Sequence, residues 1–194
     1  MPSKGAVSES FNCHKFVAEI ADSEEYLNIG LPLYEASVKC DCKAANAIFD
    51  KHPDMELVRF NITKRCETAL HIAASAKGTK KVAEFVRNLV EKMTNEDLEL
   101  VNYNNSTALY LAAVAGNIES VKIMMERNPT LDTIPGGGIH TLKMPLYAAA
   151  LFGNKDVASY LYESSKDLAD DRGWNEKNRT ELLEKCVESD MFEE

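Results

Sequence analysis

No stretch of this 194-residue sequence stays apolar long enough to cross a bilayer. The best runs, Leu109 to Ala115 and Leu146 to Phe152, reach about a third of the ~20 residues a spanning helix needs. The opening residues, MPSKGAVSES, lack the apolar stretch of a secretory signal, so none is expected. Pro2 stands where myristoylation needs glycine, and the closing Met-Phe-Glu-Glu is no prenylation box. Basic charge is short as well. Lys+Arg total 22 against 31 Asp+Glu, a net charge of −9, which makes duplex nucleic acid and anionic lipid poor partners for the surface as a whole. Five cysteines, an odd count at irregular spacing, suit free thiols in a reducing compartment. Without a secretion signal, the sequons at Asn61, Asn104, Asn105 and Asn178 read as coincidence. The expectation is a soluble cytoplasmic chain that makes no direct membrane insertion.

What the chain does have is ordinary globular substance. Apolar residues make up 45 % and charged residues 27 %, enough to exclude a wholly disordered chain. A domain of this length buries roughly 70 % of its extended surface and folds without a metal or disulfides.

The organising feature is a repeat. Leu31-Pro-Leu-Tyr-Glu-Ala, Thr68-Ala-Leu-His-Ile-Ala, Thr107-Ala-Leu-Tyr-Leu-Ala and Met144-Pro-Leu-Tyr-Ala-Ala align on Leu33, Leu70, Leu109 and Leu146, which lie 37, 39 and 37 residues apart. One more step of 37 lands on Leu183 and predicts a fifth, partial copy. Each copy reads as two short helices. The first carries Leu, Ala and Ala on a narrow face (Leu109, Ala112, Ala113), small enough for a neighbouring helix to approach within the ~8–10 Å of tight packing. A break follows at Cys40-Asp41, Lys77-Gly78, Gly116-Asn117 and Gly153-Asn154, where glycine in three of the four predicts a left-handed turn. The second helix shows i, i+3, i+4 apolar spacing, as at Val121, Met124, Met125 and Val157, Tyr160, Leu161.

The hexapeptide at Thr68 matches the ankyrin signature T-P-L-H-x-A at every specified position except the proline, and the two Gly-Asn pairs resemble the Gly-His/Asn that follows it. The chain from about 31 to 190 therefore resembles an ankyrin-repeat protein. That resemblance implies an all-α solenoid of paired antiparallel helices with hairpin loops between repeats. More narrowly, Leu146-Tyr-Ala-Ala-Ala-Leu-Phe-Gly-Asn154 and the helix Val86-Arg-Asn-Leu-Val-Glu-Lys-Met93 resemble plant ankyrin proteins whose repeats precede a C-terminal PGG membrane domain. This implies a role in stress or defence signalling, by a fragment or a soluble form of a protein normally held at the membrane. That domain is absent here, and Pro135-Gly-Gly-Gly138 is not its motif, because it falls inside the array. Cys40 departs from the family by standing where the first break usually has glycine. Tyr34, Tyr110 and Tyr147 depart by standing where histidine is usual.

The expected organisation is an N-terminal extension or cap over 1–24, where Phe11, Phe16, Val17 and Ile20 suit a short helix, and a repeat domain over 25–194. Its repeats run at about 31–65, 66–105, 106–142 and 143–179, with a partial fifth at 180–194. A stack needs polar ends, and Glu184, Glu188, Asp190, Glu193 and Glu194 supply them at the C-terminal side.

Sites of chemistry are sparse. Cys40-x-Cys42 with Cys13, His14 or His52 is the one zinc candidate, but C-x-C is not the usual ligand spacing. His14 beside Cys13 lies in a weakly periodic end, a poor place for an oriented thiol–base pair. Gly136-Gly-Gly138 is not followed by Gly-Lys-Ser/Thr, so it reads as a flexible hairpin tip and not a phosphate cradle. G-x-S-x-G and H-E-x-x-H are missing. No enzyme activity and no cofactor or metal are expected.

A protein or peptide partner is expected instead, because stacked repeats offer an extended concave face. The candidate binding residues are Lys64, Arg65, Asn102, Tyr103, Asn104, His140, Lys143 and Trp174 on the hairpins, with Ile72 and Leu111 at positions that face the groove in ankyrin repeats generally. Tyr103 and Trp174 are of the residue types that dominate binding hot spots. Residues 57–92 carry a net +5 and residues 156–194 a net −7, a polarity that suits either an oppositely charged partner or head-to-tail self-contact. Two other readings remain open: a self-assembling structural repeat joined through the partial fifth copy, and a thiol- or metal-responsive regulator using Cys13, Cys40 and Cys42.

Overall fold

The computed structural model describes residues 24–138, 141–165, 168–170 and 173–189; the suggested cap over 1–24 lies almost wholly outside them. A π-helical turn, Tyr26–Gly30, leads into α1 (Leu31–Lys39) and its partner α2 (Cys42–Lys51). The next pair is α3 (Ala69–Ala74) and α4 (Lys80–Val90), followed by a single turn, α5 (Asn95–Leu98). Two further pairs follow, α6 (Ala108–Ala115) with α7 (Ile118–Arg127) and α8 (Pro145–Leu151) with α9 (Lys155–Ser164). The last helix, α10, spans Glu176–Glu188.

Local chemistry explains where these helices begin. Asp41, Thr79, Thr107 and Asn117 each accept a hydrogen bond from the amide three residues on, satisfying a donor the first turn leaves open. Pro32 and Pro145 sit in first turns, where their missing N–H costs nothing.

The helices form two lanes. First helices pack in the order α1, α3, α6, α8, α10, and second helices in the order α2, α4, α7, α9. Alanines make the first lane possible: Ala73, Ala112, Ala113, Ala149 and Ala150 are fully buried beside the anchor leucines Leu33, Leu70, Leu109 and Leu146. The second lane packs larger groups, among them Phe85, Val86, Leu89, Met124 and Leu161. α10 takes the first-lane place after α8, but Leu182 is its buried leucine and Leu183 is 58 % exposed, one residue off the predicted register.

The turns inside the pairs correct the sequence reading at one place. Gly116 and Gly153 take left-handed backbone with φ +69°, and Cys40 adopts the same region with φ +49° despite its side chain. Gly78 does not, because α3 has already ended at Ala74. A Cβ on Gly78 would lie 2.9 Å from Asn117 Oδ1, so this glycine allows close approach and not a left-handed turn.

Asparagines then tie each repeat to the one before. Asn117 Nδ2 donates to Ala76 O at 3.3 Å, and Asn154 Nδ2 donates to Ala113 O and Val114 O at 2.8 and 2.9 Å. These carbonyls lie at the end of α6 and just beyond the end of α3, where acceptors run short of intrahelical donors. In the second lane Asn128 Nδ2 reaches back to Asn95 O at 3.3 Å and Glu99 Oε1 at 3.0 Å.

Candidate protein-binding surface

Between the pairs the chain turns through hairpin fingers. The first, 61–67, closes with Ile62 N–H donating to Glu67 O at 2.8 Å. The second, 101–107, is held by the Val101–Thr107 bridge, with Asn102 Oδ1 accepting from the amides of Asn104 and Ser106 at 2.9 and 3.0 Å. The third, 136–143, closes with Gly136 and Lys143 exchanging both backbone hydrogen bonds at 2.9 Å.

The fingers are tied side by side. Tyr103 N–H donates to Arg65 O at 2.7 Å, and Gly137 N–H donates to Ser106 Oγ at 3.1 Å. His71 supports the row from below. Its Nδ1 lies 2.9 Å from Thr68 Oγ1 and accepts from Thr68 N–H at 3.3 Å, so Nε2 carries the proton and donates to Ser106 O at 3.2 Å. Burial pushes the ring's pKa down to about 4, outweighing the support of the Ser106 carbonyl, and His71 is neutral at pH 7.

Tyr110 does the equivalent work one repeat on by filling space. It is buried, and a Cβ on Gly136 or Gly137 would lie 3.0 or 2.1 Å from its ring and hydroxyl. The glycine run at 136–137 is thus packed onto the Tyr110 ring, not a flexible tip.

The candidate residues divide by exposure. Lys64, Arg65 and Asn104 are exposed, and Tyr103 is 44 % exposed. Ile72 and Leu111 are half-buried on the adjoining helices α3 and α6. Asn102 and Trp174 are buried, so they shape the surface from within and present nothing to a partner. Lys143 is half-buried: its ammonium pairs with Glu181 on α10 and lies 5.0 Å from the Tyr147 ring centroid. His140 lies outside the described residues. Lys64, Arg65, Tyr103 and Asn104 therefore come together at one junction, while Lys143 and Trp174 line a separate hollow of about 310 Å³ against α8 and α10. Sequence reasoning missed Ser106, which joins three elements, because a serine before a Thr-x-Leu segment carries no distinctive pattern.

The thiols depart from expectation in one respect. Cys40, Cys42 and Cys186 are free, whereas Cys66 is disulfide-bonded. Burial raises the pKa of all three free thiols, the opposite of what a reactive thiolate needs. Among the described residues no group of three or more His, Cys, Asp or Glu is placed to hold a metal. No helix among them is long and apolar enough to cross a membrane.

The profile of the family described as ankyrin repeats (3 copies) matches residues 33–134, more than half of the chain. The chain belongs to the ankyrin-repeat family. It is 27 % identical over 115 residues to the NF-kappa-B inhibitor cactus of Drosophila melanogaster, covering 59 % of this chain and 22 % of that protein. It is 32 % identical over 84 residues to ankyrin repeat and SAM domain-containing protein 6 of Mus musculus, covering 42 % of this chain and 9 % of that protein. It thus spans a small part of the length of these curated relatives. The fold is similar to a chain in the crystal structure of the yeast ribosomal protein Rps3 in complex with its chaperone Yar1, with a TM-score of 0.56 and 22 % identity, covering 72 % of this chain and 91 % of that one. Its ankyrin repeats support a role as a protein–protein interaction module.

Proposed function

We propose that the finger side of the ankyrin stack binds a protein or peptide partner without catalysing a reaction. The tying of the fingers into one row by Tyr103 N–H to Arg65 O and Gly137 N–H to Ser106 Oγ carries this reading. The backbone that carries the finger side chains is held before binding, which lowers the ordering cost of association. The likeness to an NF-kappa-B inhibitor agrees with action through a bound protein. The finer setting is a plant stress or defence pathway, supported by the Leu146–Asn154 segment and the Val86–Met93 helix.

The test is affinity capture from plant extract with mass spectrometry, comparing the wild type with a Tyr103→Ala, Leu111→Glu variant shown by circular dichroism to keep its helix content. A protein held by the wild type and lost by the variant supports the reading. Identical capture by both chains contradicts it.

Self-association is a second reading, favoured by Leu183 at 58 % and Val187 at 62 % exposure on the outer side of α10. It predicts concentration-dependent oligomers in sedimentation velocity that disappear with Leu183→Glu, Val187→Glu.

A further inference from the structure

The junction of the first two fingers brings two exposed cations together with aromatic and apolar side chains. Lys64 and Arg65 are exposed, and among the described residues neither has a carboxylate within 4.0 Å. Other exposed cations among the described residues, Lys80 and Lys81 included, are likewise unpaired, so the junction is set apart by the aromatic and apolar side chains beside its charges and not by the charges alone. The acids close to the junction in sequence are engaged: Glu67 accepts from Thr63 Oγ1 at 2.7 Å, and Glu99 accepts from Asn128 Nδ2 at 3.0 Å. Tyr103 and Asn104 stand beside the two cations, because Tyr103 N–H is bonded to the Arg65 carbonyl. Below them, Ile72 and Leu111 each follow the residue that props a finger, His71 or Tyr110, and keep part of their apolar surface in solvent.

We propose that this junction recognises a short acidic segment of a partner protein. Carboxylates of the partner pair with Lys64 and Arg65, and an apolar side chain of the same segment lies on Ile72 and Leu111. The proposal rests on the reading that the finger side binds protein, and adds the chemistry of what binds. A guanidinium matches a carboxylate through two parallel hydrogen bonds, so Arg65 supplies geometry as well as charge. The rest of the molecule sets the size of the ligand. The whole chain carries −9, and residues 156–194 carry −7. A long polyanion lying along the stack meets this repulsion, whereas a short segment at the junction is screened from charges more than ~8–10 Å away. Recognition is therefore by contact and not by long-range steering.

Fluorescence anisotropy at about 50 mM salt tests this with labelled peptides of about twelve residues. One is built from Glu, Leu and Ser, a second replaces Glu with Gln, and a third replaces Glu with Lys. An oligo-dT of equal length is the polyanion control. The acidic peptide is expected to bind roughly tenfold tighter than the Gln peptide, with the Lys peptide and oligo-dT weaker still. The Lys64→Glu, Arg65→Glu variant is expected to lose that preference. A Lys80→Glu, Lys81→Glu variant makes the same change of charge at the far end of the helix pair and is expected to keep it. Equal binding of the three peptides overturns the proposal. So does equal loss in both variants, which marks a general charge effect, and so does oligo-dT binding as tightly as the acidic peptide. If capture from extract is lost with Tyr103→Ala, Leu111→Glu while the peptides bind alike, the protein-binding reading stands and the acidic preference falls.

Discussion

His71 and Tyr110 occupy the same slot one repeat apart, and each braces the finger that follows its helix. His71 does so with a hydrogen bond to Ser106 O, whereas Tyr110 does so with the face of a ring that leaves room in the next finger only for glycine. The comparison shows what the substitution of tyrosine for histidine demands. A polar strut accepts any residue that keeps the carbonyl in place, but it ties stability to the protonation of one buried ring. A packed ring is indifferent to pH, and its cost appears in the neighbouring segment as Gly136-Gly137.

Acid is the strongest way to separate the two. The folded pKa of His71 is lowered to about 4, against about 6.5 for an unperturbed ring. The unfolded chain therefore takes up the proton first as pH falls. The stability due to neutral His71 is complete above pH ~6.5, falls between ~6.5 and ~4, and amounts to on the order of 3 kcal/mol. Urea denaturation at stepped pH should show this loss in the wild type, and His71→Gln, whose amide can donate to Ser106 O but does not titrate, should flatten the profile over that window. Next in size is Gly137→Ala, where the new Cβ meets Tyr110 and the backbone has φ +94°. We expect a loss of about 2 kcal/mol, partly restored in the double variant with Tyr110→His, which removes the crowding ring but not the backbone strain. Asn154→Ala and Asn117→Ala should each cost about 1–2 kcal/mol, because Asn154 serves two carbonyls of α6, and Asn117 serves the Ala76 carbonyl and caps the Ser120 amide.

Much of this architecture was legible because it depends on periodicity. The anchor leucines at 33, 70, 109 and 146 and the alanines beside them follow from the need to pack short helices closely, and all four anchors are buried. The register failed where periodicity thinned. α10 is rich in charge, and burial of Leu182 in place of Leu183 depends on how the helix docks against α8, which spacing alone does not encode. Gly78 and Gly137 were misjudged for a common reason. A glycine signals that a side chain is unwelcome, and only the neighbour, Asn117 or Tyr110, shows whether backbone angle or crowding is the cause. At the candidate surface, Tyr103 was legible as an exposed aromatic on a finger, while Trp174 followed the same reasoning and is buried. The difference lies in the packing of Trp174 beside Met144 and Tyr147, residues about 30 positions away that no local pattern connects to it.

The central claim is that the backbones of the fingers are tied into one row before any partner binds. Amide hydrogen exchange read by NMR tests it most directly at Tyr103 and Gly137, whose N–H groups make the two bonds between fingers. The account predicts exchange at least about a hundredfold slower than in an unstructured chain at both amides, with Gly137 losing its protection in Ser106→Ala. Exchange at unstructured rates in the wild type, while the amides of α6 stay protected, would show fingers that move independently and would contradict it.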